Sequence, residues 1–235
     1  MGVKQQYLFL AAAIMVLVTL FSGTGLAAEF MFWPTEDAWV NQSSPDANYG
    51  NNTYLGVKDR SGNAEAYLKW SESDLDSLTG SDIASASLCL YQYQGTYSPG
   101  DTIDVHQVTS DWSEGSITWN SRPSFEIPAA CFLNLDSGNN QWREWPGLEN
   151  TIASWVGGSN YGLVLENNKD GVAGELFTRF YSSEYSSPEL RPCLKITTTT
   201  ATTTTPEPLS IVLFGLGGGM LCLARLRRKK EQGQL

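Results

Sequence analysis

The chain carries 25 Asp and Glu against 15 Lys and Arg, so carboxylates are the first side chains to ask about chemistry. A glycoside hydrolase needs only two of them, about 5 to 10 Å apart, one as acid and the other as nucleophile or base. Glu114 in the turn Trp112-Ser113-Glu114 and Glu184 in Ser182-Ser183-Glu184 are the candidate pair. The competing role for each is to cap its turn or to pair with Arg122 or Arg191. His106, the only histidine, stands near Val105 and Val108 in a strand-like pattern, where packing or hydrogen bonding is its expected task. With no second histidine and no Gly-x-Ser-x-Gly elbow, a Ser-His-Asp site has no support. A lyase acting on uronic acids would want cations or a metal to neutralise the substrate carboxylate, and the chain has few cations to offer. We therefore assign no catalytic residue, keep a polysaccharide-degrading lyase or glycoside hydrolase as the alternative, and read the domain as non-enzymatic.

Binding chemistry is the next possibility. Sugar rings present C–H faces that stack on Trp and Tyr while polar neighbours bond the hydroxyls. Trp39, Trp70, Trp112, Trp119 and Trp155 fall within apolar patterns and are expected in the core. Tyr97, Trp142 and Trp145 lie in Gly/Pro-rich or Asn-rich segments and are the candidate carbohydrate contacts. No motif demands a cofactor. One structural calcium ion is a candidate, because Glu166, Asn168 and Asp170 place hard oxygen donors in a single turn, as do Asp46, Asn48, Asn51 and Asn52. Cys89, Cys131 and Cys193 are disulfide candidates, simplest as one bridge and one spare thiol, with the pairing open; their spacing does not suit a metal.

These residues must be held by strands. Ala38–Val40, Tyr54–Val57, Ala66–Trp70, Ala86–Tyr93, Thr102–Val108, Cys131–Leu135, Tyr161–Leu165, Leu176–Tyr181 and Leu194–Ile196 are short and rich in aromatic or branched residues. Turn signals such as Pro99-Gly100-Asp101 and Asn168-Lys169-Asp170-Gly171 separate them. Leu88 with Leu90, and Leu163 with Leu165, alternate onto one face. The expectation is an all-β, antiparallel β-sandwich of jelly-roll type. One short helix is expected at Leu148–Val156, stopped by Gly157-Gly158.

Both ends are membrane-directed. Lys4, the apolar stretch Tyr7–Phe21 and the small residues up to Ala27-Ala28 have the layout of a secretory signal peptide, placing residues 1–28 outside the mature protein; an uncleaved anchor is the rival. At the other end, Pro206-Glu207-Pro208 precedes an apolar run from Leu209 to Ala224 and the cations Arg225, Arg227, Arg228, Lys229 and Lys230. At ~1.5 Å per residue that run spans about 24 Å, slightly short of a bilayer core, and the basic cluster would hold its end in the cytoplasm. Thr197–Thr205, broken only by Ala201, reads as an extended stalk, with a terminal edge strand as the competing reading of its first few residues. The domain between the signals, from 29 to 196, suits a single core. Without Lys4 and residues 206–235, nine cations face 23 acids, a net charge of -14 that makes nucleic acid a poor partner.

The tail 206–235 resembles the PEP-CTERM sorting signal of Gram-negative bacteria. That resemblance implies recognition and removal by an exosortase, after passage by the general secretion machinery and signal peptidase, in bacteria that make exopolysaccharide. A retained single-span anchor in the inner membrane is the competing fate.

Residues from about Glu36 to Ile196 resemble a second family, the disaggregatase-related DNRLRE domain. The matching fragments are Asp37-Ala38-Trp39-Val40, Pro45, Asn48-Tyr49-Gly50, Leu55-Gly56-Val57, Ala66-Tyr67-Leu68-Lys69-Trp70 and Ala86–Tyr91. Trp112-Ser113-Glu114, Ile117-Thr118-Trp119-Asn120, Pro123, Asn160–Leu165, Ser182-Ser183-Glu184 and Arg191-Pro192 follow in the same order. Ser71 replaces the usual Asp, Trp70 the usual Phe, and the eponymous string is absent. The resemblance implies a β-sandwich akin to carbohydrate-binding modules that recognise uronic-acid polymers such as alginate. Together these readings describe an exported, exosortase-sorted protein of the cell surface or biofilm matrix that associates with extracellular polysaccharide; a purely structural envelope role is a further alternative.

Overall fold

A computed structural model of the chain describes residues 27–59, 62–78, 82–96, 101–136, 138–167 and 177–199. All nine expected strand regions form strands. They are β2 (Glu36–Asn41), β3 (Tyr54–Lys58), β4 (Ala64–Lys69), β5 (Asp82–Thr96), β6 (Thr102–Gln107), β7 (Cys131–Asn134), β9 (Leu163–Glu166), β10 (Phe177–Tyr181) and β11 (Cys193–Thr199). Two more, β1 (Ala27–Phe32) and β8 (Gln141–Pro146), arise where the sequence reading placed a leader boundary and a loop.

All the pairings are antiparallel. The strand order is β1-β11-β5-β10-β3-β4-β9-β6-β7, with β8 on β5 and β2 on β4. β3 and β4 meet at a single pair, Lys58 with Ala64, so the path bends there into two layers. One layer holds β1, β11, β5, β8, β10 and β3; the other holds β2, β4, β9, β6 and β7. Leu88 and Leu90 of β5, Phe180 of β10 and Ile196 of β11 face Leu68 of β4, Ile103 and Val105 of β6 and Leu165 of β9 in one buried cluster. Each such side chain contributes about 1.5–3 kcal/mol on burial. The result is an all-β antiparallel sandwich.

A helix, α2 (Glu149–Trp155), lies within the expected range. Ile152 and Trp155 are buried, and Glu149 accepts a hydrogen bond from the Ala86 amide at 3.1 Å, fixing the helix to β5. Gly157, at φ +73°, takes the left-handed turn that ends it. The expectation of one helix needs correction. A single turn, α1 (Glu72–Leu75), continues into a 3-10 turn at Asp76–Leu78 because Leu75 and Leu78, three apart, both reach the core.

The assigned boundaries shift as well. Thr197–Thr199, read as the start of the stalk, are strand residues: they pair with Ala27–Glu29 of β1, and Thr198 is buried. Branched threonines favour such a position once a partner strand supplies hydrogen bonds. Among the described residues the first strand starts at Ala27. Residues 1–26 and 200–235, including Pro206, Glu207, Pro208 and the basic cluster, lie outside the described residues. Among the described residues no helix is long and apolar enough to cross a membrane.

Candidate functional site

The two outer faces of the sandwich differ in cover. Over β2, β4 and β9, the long connection 108–130 folds back: Trp112 and Ile117 pack on Ala38, Val40, Tyr67 and Val164 in a second buried cluster. The Trp112 indole donates to Tyr161 O at 2.8 Å. Beside it, Tyr67 Oη donates to Glu65 at 2.7 Å, and Arg122, stacked 3.6 Å over Trp119, reaches Glu65 at 3.0 Å. Burial raises the Glu65 pKa, with the Tyr67 hydrogen bond and the Arg122 charge opposing it. His106 is equally enclosed: Nδ1 lies 2.8 Å from Glu126 O, and Nε2 3.2 Å from Glu166 Oε1. Burial is the largest influence and would lower its pKa, yet Glu166, the Glu126 carbonyl and Asp104 together outweigh it and the pKa is raised. The expectation that His106 is a packed strand residue matches this geometry.

The opposite face, formed by β8, β5, β11, β10 and β1, has no such flap among the described residues. Alternation along β5 sends Leu88 and Leu90 inward and Cys89, Tyr91 and Tyr93 outward. Trp142 projects from β8 and remains 44% exposed, its ring edge against Tyr91 at 5.6 Å. The aromatic row continues through Tyr181, stacked 5.7 Å from Tyr91, to Tyr185 at 3.5 Å. The hydrogen bond with Tyr185 and desolvation push the Tyr181 hydroxyl up to about 12, so it stays protonated and able to donate.

Beside Trp142 runs a groove of about 360 Å³, within the size range of ligand pockets. Met31 and Trp33, 50% and 53% exposed, form one side, with Glu144, Arg191 and Lys195 among its polar groups. Glu144 is held by Ser87 Oγ at 2.6 Å, and Arg191 by its Nε donating to Tyr185 O at 2.8 Å. A smaller hollow of about 200 Å³ shares Trp33, Pro188 and Arg191 with the groove and extends to Ser183. Two exposed indoles, flanked by fixed charges and donors, can stack sugar faces and bond their hydroxyls.

Of the two expected carbohydrate contacts among the described residues, Trp142 stands at this groove and Trp145 does not. Trp145 is a correction: it is fully buried, donates its indole N–H to Ile103 O at 3.0 Å and packs edge-on against Phe180. Three residues apart on one strand, Trp142 and Trp145 must point to opposite sides, which the loop assignment concealed. Tyr97 lies outside the described residues. Trp33 was missed; its signal was Trp33-Pro34, an aromatic at a break between two strands.

Of the donors expected in the calcium turn only Glu166 falls among the described residues. Glu166 is occupied by His106, and Asn168 and Asp170 lie outside the described residues. Among the cysteines, Cys89 and Cys193 face each other across β5 and β11, while Cys131 sits on β7; all three thiols are free. The Cys89 thiol donates to Cys193, holding Cys193 below and Cys89 above the usual thiol range. Glu114 and Glu184, the candidate acid pair, are brought together, with Asp37 as a third carboxylate. Neither lines the groove or the adjoining hollow.

An all-β sandwich with an exposed aromatic groove, lined also by Glu144 and Glu189, fits the class of carbohydrate-binding module. The family model of carbohydrate-binding module family 96 matches residues 28–198, and the chain belongs to that family. No curated protein matches the chain.

Proposed function

We propose that the domain is a non-catalytic module that binds extracellular polysaccharide in the groove between Trp33 and Trp142. The observation that carries this reading is the pair of half-exposed indoles beside Arg191 and Lys195 on an uncovered sheet face. Lys195 and Arg191 suit the carboxylates of uronic-acid chains, and Glu144 suits hydroxyls. The module would be exported through the inner membrane under its leader, retained there by the apolar tail, and released by an exosortase to the cell surface or matrix.

Affinity electrophoresis in gels containing alginate, beside gels containing a neutral polysaccharide, tests the binding. Retardation in alginate that is lost in Trp33→Ala and Trp142→Ala is expected; unchanged migration of the native protein in both gels rules the binding reading out and leaves a structural role. The sorting step is tested separately by changing Pro206, Glu207 and Pro208 to Ala, which should leave the tail attached and raise the mass of the exported form.

Glu114 beside Glu184 favours one second reading, a glycosidase, because burial and the neighbouring Glu184 push the Glu114 carboxyl up to about 7, as a general acid requires. A reducing-end release assay decides it. New sugar ends, abolished by Glu114→Gln, would establish the enzyme, whereas the binding module releases none.

A further inference from the structure

Asp37, Glu114 and Glu184 come from β2, from the turn after Trp112 and from the turn after β10. One ligand oxygen from each lies within 4.8 Å of the other two. Asp37 is fully buried, and its Oδ1 has no hydrogen-bond partner; Glu184 Oε2 is likewise buried and unpartnered. The remaining oxygens are fixed. Ser183 N donates to Asp37 Oδ2 at 2.8 Å and Ser183 Oγ to Glu184 Oε1 at 2.8 Å. The Glu114 backbone is clamped too: Asn48 Nδ2 donates to Glu114 O at 2.7 Å and Glu114 N to Glu36 Oε2 at 2.8 Å. Gly50 lies so close that an added Cβ would come within 2.4 Å of Glu114 O. The Asp37 and Glu184 side chains and the Glu114 backbone are therefore set before any ligand arrives.

Among the described residues no Lys or Arg pairs with any of the three; Lys69 is committed to Glu36 at 2.7 Å and Asp111 at 3.1 Å. Three carboxylates without a cation are costly in a buried place, since an unpaired buried charge is strongly unfavourable. We propose that Asp37, Glu114 and Glu184 form a calcium site. An all-carboxylate donor set with no imidazole or thiolate selects a hard cation. Ca²⁺ accepts six to eight oxygens in irregular geometry, and three carboxylates supply up to six. Bound calcium would tie β2 to two turns distant in sequence, and Ser183 would carry that rigidity to the end of the hollow beside the groove.

The test is calorimetric titration of the chelator-treated protein with CaCl₂, paired with its melting temperature. One ion per chain and a raised melting temperature are expected. Glu184→Gln and Asp37→Asn should weaken binding roughly tenfold or more while leaving the calcium-free melting temperature equal or higher, because repulsion is relieved. Asp170→Asn, in the turn first suspected from sequence, should bind as the native protein does. Absence of heat and of any melting shift at millimolar calcium overturns the site. Calcium binding retained in Glu184→Gln but lost in Asp170→Asn also overturns it. Should Glu184→Gln fail to fold, Glu114→Gln read by the same titration carries the decision.

Discussion

The covered and uncovered faces of this sandwich use the same alphabet, aromatic rings and charged groups on alternating strand positions, to different ends. On the covered face the rings beneath and within the connection 108–130 are anchors. Trp112 and Trp119 hold the connection 108–130 against Tyr67, and Glu65 is matched by Tyr67 and Arg122. On the uncovered face Trp33, Trp142 and the tyrosines are held in place by neighbours yet keep an exposed side. An aromatic motif is thus no guide to binding until one knows whether a flap of chain returns to cover it.

The sharpest way to break this comparison is on β8, where both kinds of tryptophan occur. Trp145→Ala removes a fully buried ring and its hydrogen bond, and should cost about 3–5 kcal/mol. Trp142→Ala should cost about 1 kcal/mol or less, losing mainly the Tyr91 contact, while abolishing polysaccharide retardation. Chemical denaturation of both variants reads the contrast; equal stability losses would mean that the uncovered face is also structural.

The next effect lies in the floor of the groove. Directly opposed residues on antiparallel strands have Cα atoms about 4.5–5.5 Å apart, within the range a disulfide accepts. Cys89 and Cys193 are so opposed, and they are the pair expected to close under oxidising conditions, leaving Cys131 as the spare thiol. Intact-mass analysis with thiol alkylation checks the pairing. Reduction should lower stability by about 2–4 kcal/mol, and Cys131→Ser should leave that difference unchanged.

On the covered face, Arg122→Met keeps the packing of the arginine stem over Trp119 but removes the cation from Glu65, which is 6% exposed. A loss of about 1–3 kcal/mol is expected, with polysaccharide binding unaffected. Reduced binding with unchanged stability would instead place the ligand on this face.

Legibility in the sequence followed the range of the interaction. Strand periodicity, the helix at Leu148–Val156 and the packed state of His106 are local patterns, and each was readable. The second cluster of carboxylates was not: Glu114 and Glu184 could be singled out by their turns, but Asp37 joins them only because β2 and two turns meet in space. Trp145 was misjudged because the Asn-rich residues before it suggested a loop, whereas β5 offered an edge for β8 to pair with from Ser87 to Gln92. For Thr197–Thr199 the competing reading, a terminal edge strand, is the one that holds, since β1 and β5 supply partners that a low-complexity tract could not announce.

The smallest expected effect is also the cleanest to observe, because the protein has one imidazole. Facing His106 are Glu166, Asp104 and the carbonyl of Glu126; desolvation opposes protonation, and these groups outweigh it. A raised folded-state pKa means that the imidazolium stabilises the fold fully below the unfolded value of 6.5 and that this contribution disappears as pH rises through the folded value. The imidazole resonance, followed by NMR, should titrate above 6.5, and Glu166→Gln should move the midpoint downward. Loss of that contact should alter stability more at pH 6, where the ring is charged, than at pH values above the folded-state midpoint, where it is neutral. A midpoint below 6.5 in the native protein would show that burial, not the carboxylate, governs this residue, and would make the covered face less completely partnered than its geometry indicates.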